Sequence, residues 1–564
     1  MSKTNKILLS LLSGTLFTMV HAGDANAQVP TSAEPGMIIR DPLRTPTEPQ
    51  RSMEIEYDDS ANERYMAHGD DRKIVDLQTV VLEGSNVYTD ADIAHLYEEF
   101  VGKKVSFVDL QVVANRITRK YREDGFVLSR AVISPQRVNN GTVRLNVVEG
   151  FISNVRIVGE FDDRFGLAQK LSEKVVNQVP MNAKDLERYL LLIDDLPGIR
   201  ARSVLRPSNV RNASELIVTI EQDKSEASLS ADNFGSNFLG RHRVSGVIAG
   251  NSLLKMHDRT TLRVITTTDI EELNFVDLTH EQQIGSEGGK VLVRGAITRT
   301  EPGGSVSNLD IEGDSELVDI EFRYPMIRSR QKNLTLKAGF TALNTESTVL
   351  GVTTADDNVR SVNAGFSFDF TDTHRGVTQI DGSVTQGMDI LGATDDGLGR
   401  TRSNGEHVFT RFNVIATRIQ DLGYDWSVFL SAAGQYSSDT LLASEEFTVG
   451  GRSFGRAYDG GEITGDKGAS ASVELRYGHP VEHKYLRSFL SYGFYDIGKV
   501  WNEDVLVGEA SEESLASAGA GVRLNFIKDI STQFEVAAPL TKRIDSEGDD
   551  GDEPRAYFNV IKRW

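Results

Sequence analysis

The sequence predicts a membrane β-barrel preceded by two small α+β modules. Three features lead to this prediction: a signal sequence at the N-terminus, a duplicated order of strands and helices up to about residue 222, and alternation of apolar and polar residues from there to the end. The formal net charge of -21 excludes non-specific binding of nucleic acid, which requires a basic surface. The chain contains no cysteine, which excludes disulfides, thiolate nucleophiles and cysteine-ligated zinc.

The N-terminus has the three parts of a signal peptide in the expected order. Lys3 and Lys6 come before a mostly apolar run from Ile7 to Val20, and Ala25-Asn26-Ala27 has the small residues that signal peptidase accepts. This run is too short to span a bilayer as a helix, which takes about 20 residues. We therefore predict that residues 1–27 are a signal peptide and that the protein is exported; the alternative is a buried N-terminal helix.

Residues 28–72 have the composition of a tether. Five of the 14 prolines lie in this segment, and an acidic patch at residues 54–59 follows them without helical or strand periodicity. We interpret the segment as a disordered spacer. The alternative is a short helix that docks elsewhere in the molecule.

Residues 73–150 and 151–222 share one pattern: strand, helix, helix, strand, strand. Landmarks recur at a nearly constant offset, because Gly125 and Gly198 are 73 residues apart and Glu149 and Glu221 are 72 residues apart. This offset predicts an internal duplication of a small α+β module.

Residues 223–564 alternate between apolar and polar residues with a period of two. Val362, Ala364, Phe366, Phe368 and Phe370, for example, alternate with polar or very small residues. Both a soluble β-sandwich and a membrane barrel produce this pattern, but several runs last about nine to eleven residues, which is typical of membrane barrel strands. An open sheet edge would leave peptide groups unpaired in lipid, so the predicted sheet closes into a barrel.

Three motifs, in this order along the chain, resemble those of one family. Val147-Val148-Glu149-Gly150, preceded by Ile133-Ser134-Pro135-Gln136, resembles the end of the first POTRA (polypeptide-transport-associated) domain of two-partner secretion transporters of the haemolysin-activation and filamentous-haemagglutinin-secretion type. Phe447 to Asp459 resembles the sixth-loop motif of these transporters, with Gly455-Arg456-Ala457-Tyr458 where the usual core is Val-Arg-Gly-Tyr/Phe. Phe494-Tyr495-Asp496-Ile497-Gly498 resembles their barrel-wall motif.

The resemblance implies a barrel of about 16 antiparallel strands in the outer membrane of a Gram-negative cell, with two POTRA domains in the periplasm. It also implies a function: the barrel translocates one large unfolded exoprotein, an adhesin, haemolysin or toxin, to the cell surface without ATP. We expect the substrate to dock on a POTRA sheet edge by strand addition. The other expected partners are outer-membrane lipid and, during biogenesis, the barrel-assembly machinery; the expected state is a monomer.

Other functions remain open from the sequence. An assembly or insertion factor of the same superfamily would usually carry more POTRA repeats than the two that fit here, and a diffusion porin would need no docking modules. We do not expect an enzyme, because the histidines show no His-Glu-x-x-His spacing and no Gly-x-Ser-x-Gly nucleophile elbow stands out. We also expect no cofactor and no metal, since the acidic segment 545–553 lacks the ligand spacing of a calcium loop.

The resemblance also implies a site. In the family the sixth loop folds back into the barrel, where its arginine pairs with an aspartate of the barrel wall; the matching residues here are Arg456 and Asp496. We expect this pair to act as a latch that restrains the pore, and strand alternation supports an inward Asp496 because Tyr495 and Ile497 then face lipid. The supporting residues expected from the motifs are Gly450, Gly451, Arg452, Tyr458, Phe494 and Gly498.

Overall fold

The computed structural model describes residues 33–40, 72, 75–394, 399–505 and 510–564. The predicted signal peptide and most of the predicted tether lie outside these residues. Within the described part of the chain, no helix is both long and apolar enough to cross a membrane.

The first module is a three-stranded sheet packed against one long helix. After a first helix, α1 (Pro35–Arg40), which lies inside the barrel, its elements are β1 (Val75–Asp76), β2 (Thr79–Glu83), α2 (Asp90–Ile93), β3 (Lys104–Val105), α3 (Phe107–Glu123), β4 (Arg130–Ile133) and β5 (Thr142–Val148). β5 is the central strand, parallel to β2 and antiparallel to β4. The α3 helix begins at a reciprocal cap, in which the Asp109 N–H donates to Ser106 Oγ (3.1 Å) and the Ser106 N–H donates to Asp109 Oδ2 (2.8 Å).

Glu149, in the motif that resembles POTRA domains, ties together three parts of the first module. Its carboxylate accepts hydrogen bonds from the backbone N–H of Asn86 (2.7 Å), from the Asn86 side chain (2.7 Å) and from the Tyr121 hydroxyl on α3 (3.1 Å). The glutamate therefore fixes the end of β5 against both the helix and the loop that follows β2.

The second module has the same order of elements, as the duplication predicts. Its elements are β6 (Phe151–Val158), α4 (Leu167–Glu173), α5 (Ala183–Asp194), β7 (Ile199–Pro207) and β8 (Ala213–Gln222), and the sheet order is β6-β8-β7. The modules are joined directly, because the N–H groups of Met181 and Ala183 donate to the carbonyls of Gly150 (2.9 Å) and Gly125 (2.8 Å). The domain boundaries that we proposed at residues 150 and 222 stay predictions.

Sixteen antiparallel strands close into a barrel, which confirms the predicted fold class. They are β9 (Ser225–Asp232), β10 (Arg243–Asn251), β11 (Arg259–Thr267), β12 (Leu273–Ile284), β13 (Gly289–Thr300), β14 (Ile311–Arg328), β15 (Lys332–Val349), β16 (Val352–Thr371), β17 (Gly376–Gly387), β18 (Thr410–Gly423), β19 (Trp426–Ser437), β22 (Lys467–Pro480), β23 (Leu486–Trp501), β24 (Glu512–Phe526), β25 (Ile530–Pro539) and β26 (Arg555–Arg563). Two short strands, β20 (Phe447–Val449) and β21 (Ile463–Gly465), belong to the loop between β19 and β22. β26 pairs with β9, with Val560 opposite Ala231, and this pairing closes the sheet.

The barrel has two different ends. The end at which β9 begins lies next to the second module and is called the near end; the opposite end, which carries the longer loops, is called the far end. The second module contacts three near-end turns of the barrel, through Arg164 N–H to Lys255 O (2.9 Å), Lys174 to Glu287 (2.9 Å) and Asp195 to Arg328 (2.6 Å). Several independent contacts thus hold the module at the barrel mouth.

The two faces of the barrel wall differ as the alternation predicts. Val362 and Phe366 are each 38% exposed on the outer face, whereas Ser361 on the intervening face is buried. The inner face is mostly polar but carries an apolar patch that includes Phe275, Ala296, Leu317, Leu343 and Val359. An apolar patch on the inner wall requires a covering group that excludes water.

The covering group is α1, which lies in the barrel lumen. Ile39 is fully buried in the same cluster as the apolar patch, and the carbonyl of Ile39 accepts a hydrogen bond from Arg294 on β13 (2.8 Å). Arg40, the last residue of the helix, pairs with Glu445 of the loop between β19 and β22. Residues 35–40 are therefore a docked helix and not a disordered spacer, whereas residues 41–71 of the predicted tether lie outside the described residues.

Candidate functional site

The loop between β19 and β22, the sixth far-end loop, turns back into the lumen. Within it, β20 and β21 pair as a short antiparallel ladder, and residues 450–462 form a compact tip between them. Val449, Phe454, Ala457, Tyr458 and Ile463 are all buried in one cluster with barrel-wall residues. The loop therefore packs as an ordered plug and not as a solvated surface loop.

Two glycines give the tip its shape. Gly450 has a φ of 121°, and a Cβ there would lie 2.1 Å from the carbonyl oxygen of Asp459. Gly455 has a φ of 84°, which places its N–H toward Asp496. A β-branched valine, the residue usual at this position in the family, is strongly disfavoured at this φ. Ala457 stands where the family motif usually has glycine. Its φ is not positive, so alanine fits this position without backbone strain.

Arg456 and Asp496 are in contact, and four hydrogen bonds converge on the carboxylate from the loop tip. The guanidinium donates from Nε to Asp496 Oδ2 (2.9 Å) and from Nη2 to Oδ1 (2.8 Å), while the backbone N–H groups of Gly455 (3.2 Å) and Arg456 (3.0 Å) donate to Oδ2. Ser472 on β22 adds a donor to Oδ1 (2.7 Å). Bidentate pairing of this kind fixes orientation as well as position.

The guanidinium of Arg456 also meets a second carboxylate that sequence reasoning missed. Glu474 on β22 pairs with Arg456, with Arg476 (2.7 Å) and with Arg523 on β24 (3.3 Å). A weak signal for this residue is present in the sequence, because Ser472, Glu474 and Arg476 occupy alternate, inward positions of one strand. Alternation does not reveal that Glu474 on β22 and Asp496 on β23 meet the same loop residue.

The supporting residues of the motifs surround this pair. The Arg456 guanidinium lies over the Phe494 ring at 3.5 Å, and the Arg452 guanidinium lies over the Phe234 ring at 4.1 Å. The Tyr458 hydroxyl donates to the carbonyl of Ala516 (3.2 Å) or Lys542 (2.9 Å). Gly451 donates its N–H to the carbonyl of Tyr458 (3.1 Å). At Gly498, a Cβ would lie 2.4 Å from Val449, so this wall glycine leaves room for the base of the loop.

The acidic segment 545–553 has protein partners of its own. Glu547 pairs with Arg241 and Arg555, and the Ser546 hydroxyl donates to Asp459 at the loop tip. Arg555 also pairs with Asp459 (2.6 Å). These contacts attach the segment to the sixth loop and use its carboxylates for ion pairs.

The arrangement holds the tip of the sixth loop against the barrel wall. Arg456 is 8% exposed and Asp496 is fully buried, so either group without the other would be a poorly solvated charge inside the lumen. A cavity of about 230 Å³ lies beside the pair, lined by Arg452, Glu474 and Glu535 among others. The loop tip is therefore held to the wall by charge, with space beside it.

A closed 16-stranded barrel, two modules at its near end and a far-end loop bound inside its lumen define the POTRA-bearing barrel proteins of the outer membrane. The chain belongs to the family of haemolysin secretion/activation proteins ShlB/FhaC/HecB, whose model matches residues 212–524. A model of the ShlB-type POTRA domain matches residues 75–150. The resemblance drawn from the three motifs is thereby confirmed.

Individual relatives are distant but extend over most of the chain. The heme/hemopexin transporter protein HuxB of Haemophilus influenzae (strain 86-028NP) is 25% identical over 497 residues, which cover 86% of this chain and 86% of HuxB. The outer membrane transporter CdiB of Escherichia coli is 21% identical over 411 residues, 71% of this chain and 68% of CdiB. The solved structure of CdiB from Escherichia coli has a TM-score of 0.72 at 18% identity and covers 100% of this chain and 99% of that chain. The latter similarity shows the shared fold.

Proposed function

We propose that this protein translocates one large unfolded exoprotein across the outer membrane, with the barrel as conduit and the two modules as docking units at its entrance. The observation that carries the proposal is the pair of restraints in the lumen, α1 and the sixth loop, which both occupy the path of a translocating polypeptide. On this proposal the near end faces the periplasm, and the far end faces the cell surface.

The outer edge of β7 supports docking by strand addition. The N–H of Ala201 points away from β8 and donates to the carboxylate of Asp194 (2.8 Å). Because N–H groups alternate in direction along a strand, those of Ser203 and Leu205 point outward as well. Pro207 has no N–H and ends this edge. An extended substrate segment can therefore add to the sheet at Ser203 and Leu205.

A cavity lies between the second module and the barrel. The cavity has a volume of about 560 Å³ and lies between α5 and the near end of the barrel. Asp194, which accepts the N–H at the start of the β7 edge, lines this cavity together with Leu191 and Leu192. The barrel side contributes Lys290 and Arg323. On our proposal, a chain docked on β7 enters the barrel through this cavity, which Asp194 borders.

Transport on this proposal requires no nucleotide. Strand addition uses backbone hydrogen bonds and so depends little on the side chains of the substrate. Once outside, folding of the exoprotein removes the unfolded chain from the equilibrium and draws more of it through the pore.

We propose three further relations for the same protein. The apolar outer face of the wall contacts outer-membrane lipid, the barrel-assembly machinery inserts the chain, and the protein acts as a monomer. The last proposal is supported by the closed sheet, which pairs β26 with β9 of the same chain and leaves no barrel edge for a second copy.

The test of docking uses two pairs of variants on β7. Ser203→Pro and Leu205→Pro each remove an outward N–H and keep the inward bonds to β8, whereas Ser203→Ala and Leu205→Ala keep the N–H. With an exoprotein that this transporter exports as substrate, both proline variants should lower its amount at the cell surface and in the medium at least tenfold, and both alanine variants should export normally. Normal export by both proline variants would show that this edge is not the docking site.

A further inference from the structure

The helix in the lumen begins beside an acid that its surroundings do not neutralise. Glu34 directly precedes α1 and is 4% exposed. Within the described residues, its Oε1 atom is buried and has no hydrogen-bond partner, while the side chain accepts from the backbone N–H of Gly36. A buried carboxyl oxygen without a donor is costly when the group is ionised.

The titratable groups that face Glu34 are themselves acids. Asp357, on the far-end part of β16, and Glu446, in the sixth loop, are the two charges that act most on it. Asp357 accepts from the backbone N–H of Thr401 (3.3 Å) and from its hydroxyl. Glu446 pairs with Arg402 of the fifth far-end loop (3.0 Å), and Arg402 pairs with Asp466 as well (2.7 Å). The nearby arginine is therefore shared between two other carboxylates.

The cation of α1 itself is occupied at the other end of the helix. Arg40 pairs with Glu445, whose second oxygen lies 2.6 Å from Arg411 on β18. The helix is thus held at its C-terminal end by an ion pair and places an uncompensated carboxyl at its N-terminal end.

We propose that docking of α1 in the lumen is coupled to the uptake of one proton by Glu34, so that the helix is held at low pH and released as the pH rises. The site is a proton-binding site formed only when the helix meets β16 and the sixth loop. The consequence for export, that release of α1 opens the conduit, rests on the proposed function. The coupling between proton uptake by Glu34 and docking of α1 does not rest on it.

The direction of the pH dependence follows from the two states of the carboxyl. Burial, followed by the charge of Asp357, raises the pKa of Glu34 from 4.5 to about 8 in the docked helix. In the released helix the carboxyl is in water and has its ordinary pKa, so docking binds a proton between these two values. The docking equilibrium constant should then fall about 50-fold between pH 6 and pH 8.

The experiment uses the absence of cysteine from the chain. Met37→Cys places one thiol on the buried face of α1, and Leu391→Cys places one on an exposed far-end loop as the reference for the intrinsic pH dependence of the reagent. The full-length protein in detergent is labelled with a bulky hydrophilic maleimide from pH 5.5 to pH 8.5, and the rate at position 37 is divided by the rate at position 391.

Three backgrounds give distinct results. In the otherwise unchanged protein the ratio should rise about 50-fold from pH 6 to pH 8, and with Glu34→Gln, which keeps the shape and removes the charge, it should stay flat. With Arg40→Gln the ratio should be higher at every pH but rise equally, because docking is weakened without loss of the proton site. A flat ratio in the unchanged protein, or an unaltered rise with Glu34→Gln, would overturn the proposal. Labelling needs no exoprotein, so its outcome is independent of whether export occurs.

Discussion

At the scale of single residues, the geometry of the loop tip depends on one carboxylate. Asp496 accepts from the guanidinium of Arg456 and from two backbone N–H groups of the loop, so it recognises the position of the main chain as well as the side chain. This explains why glycine stands at position 455, where a positive φ turns the N–H toward the wall.

The first prediction concerns this pair. Arg456→Ala or Asp496→Ala leaves an unpaired charge in the lumen and should weaken docking of the loop by about 3–5 kcal/mol. We expect lower secretion with a barrel that is still inserted and heat-modifiable, which electrophoresis of heated and unheated membranes would measure. Arg456→Lys is the matched control, since it keeps the charge but loses bidentate pairing. Its secretion should lie between that of the unchanged protein and that of Arg456→Ala. Normal export by both alanine variants would remove the latch from the mechanism.

Some residues of the site can be recognised from the sequence, and others become apparent only in the structure. Arg456 and Asp496 belong to two short motifs that can be recognised from the sequence. Glu474 and Arg523 belong to no motif. Glu474 meets both Arg456 and Arg523 only because β22, β23 and β24 pair in a particular register. Alternation along the strands predicts that both side chains point inward, but the strand register determines which residues they contact.

At the scale of elements, α1 is held by the barrel and not by its own sequence. A helix of six residues is far below the length at which an isolated helix is stable in water. Ile39 on the apolar patch, Arg40 on Glu445 and the Arg294 hydrogen bond supply the missing stabilisation.

The second prediction is that Ile39→Ala releases the helix. The substitution removes buried contacts with the inner-wall patch and should weaken docking by about 2–5 kcal/mol. Purified protein in planar bilayers should then conduct ions more often than the unchanged protein. Ile38→Ala is the control, because Ile38 is only partly buried, and it should have a smaller effect. Equal conductance of the Ile39 variant and the unchanged protein would contradict the assigned role of the patch.

The joint between the second module and the barrel gives a prediction about pH. Burial acts to raise the pKa of Asp163. The His257 ring, whose Nε2 lies 3.2 Å from Asp163 Oδ1, and the backbone N–H groups of Leu167 and Ala168 outweigh burial and hold the pKa below its ordinary value of 3.8. A carboxyl with a lowered pKa stabilises the folded contact above its ordinary pKa, and that contribution is lost as the pH falls through the lowered value.

The third prediction follows from this sign. At neutral pH, where the carboxylate is charged, Asp163→Asn should broaden the distribution of distances between spin labels on the second module and on the β10–β11 turn. The difference between the variant and the unchanged protein should shrink as the pH falls below 3.8. The comparison of two proteins at each pH removes the effect of other titrating groups. A difference that grows in acid would contradict the assigned sign.

At the scale of the whole molecule, the modules and the barrel form separate cores joined by a few polar contacts. The core of the second module and the inner cluster of the barrel share no residues. The barrel wall completes its own hydrogen bonding through the pairing of β26 with β9. We therefore expect the barrel to assemble without the modules.

The fourth prediction tests this division. Deletion of residues 75–222 should abolish export of the exoprotein while leaving a heat-modifiable barrel in the outer membrane. Restoring only the first module should not rescue export, because the contacts with the near-end turns belong to the second module. Unchanged secretion by the deleted protein would refute the docking role of both modules.

The sequence by itself determined the period of two, the duplicated modules and the motifs, because these depend on residue type and spacing along the chain. From them the fold class, the family and the Arg456–Asp496 pair could be predicted. Only the tertiary structure decided that residues 35–40 form a helix in the lumen, that Glu34 meets Asp357 and Glu446 there, and that Glu474 joins the loop site. The physical reason is that these features depend on groups that are distant along the chain, from 18 residues for Arg456 and Glu474 to 405 residues for Arg40 and Glu445. Closure of the sheet and its strand register bring these groups together.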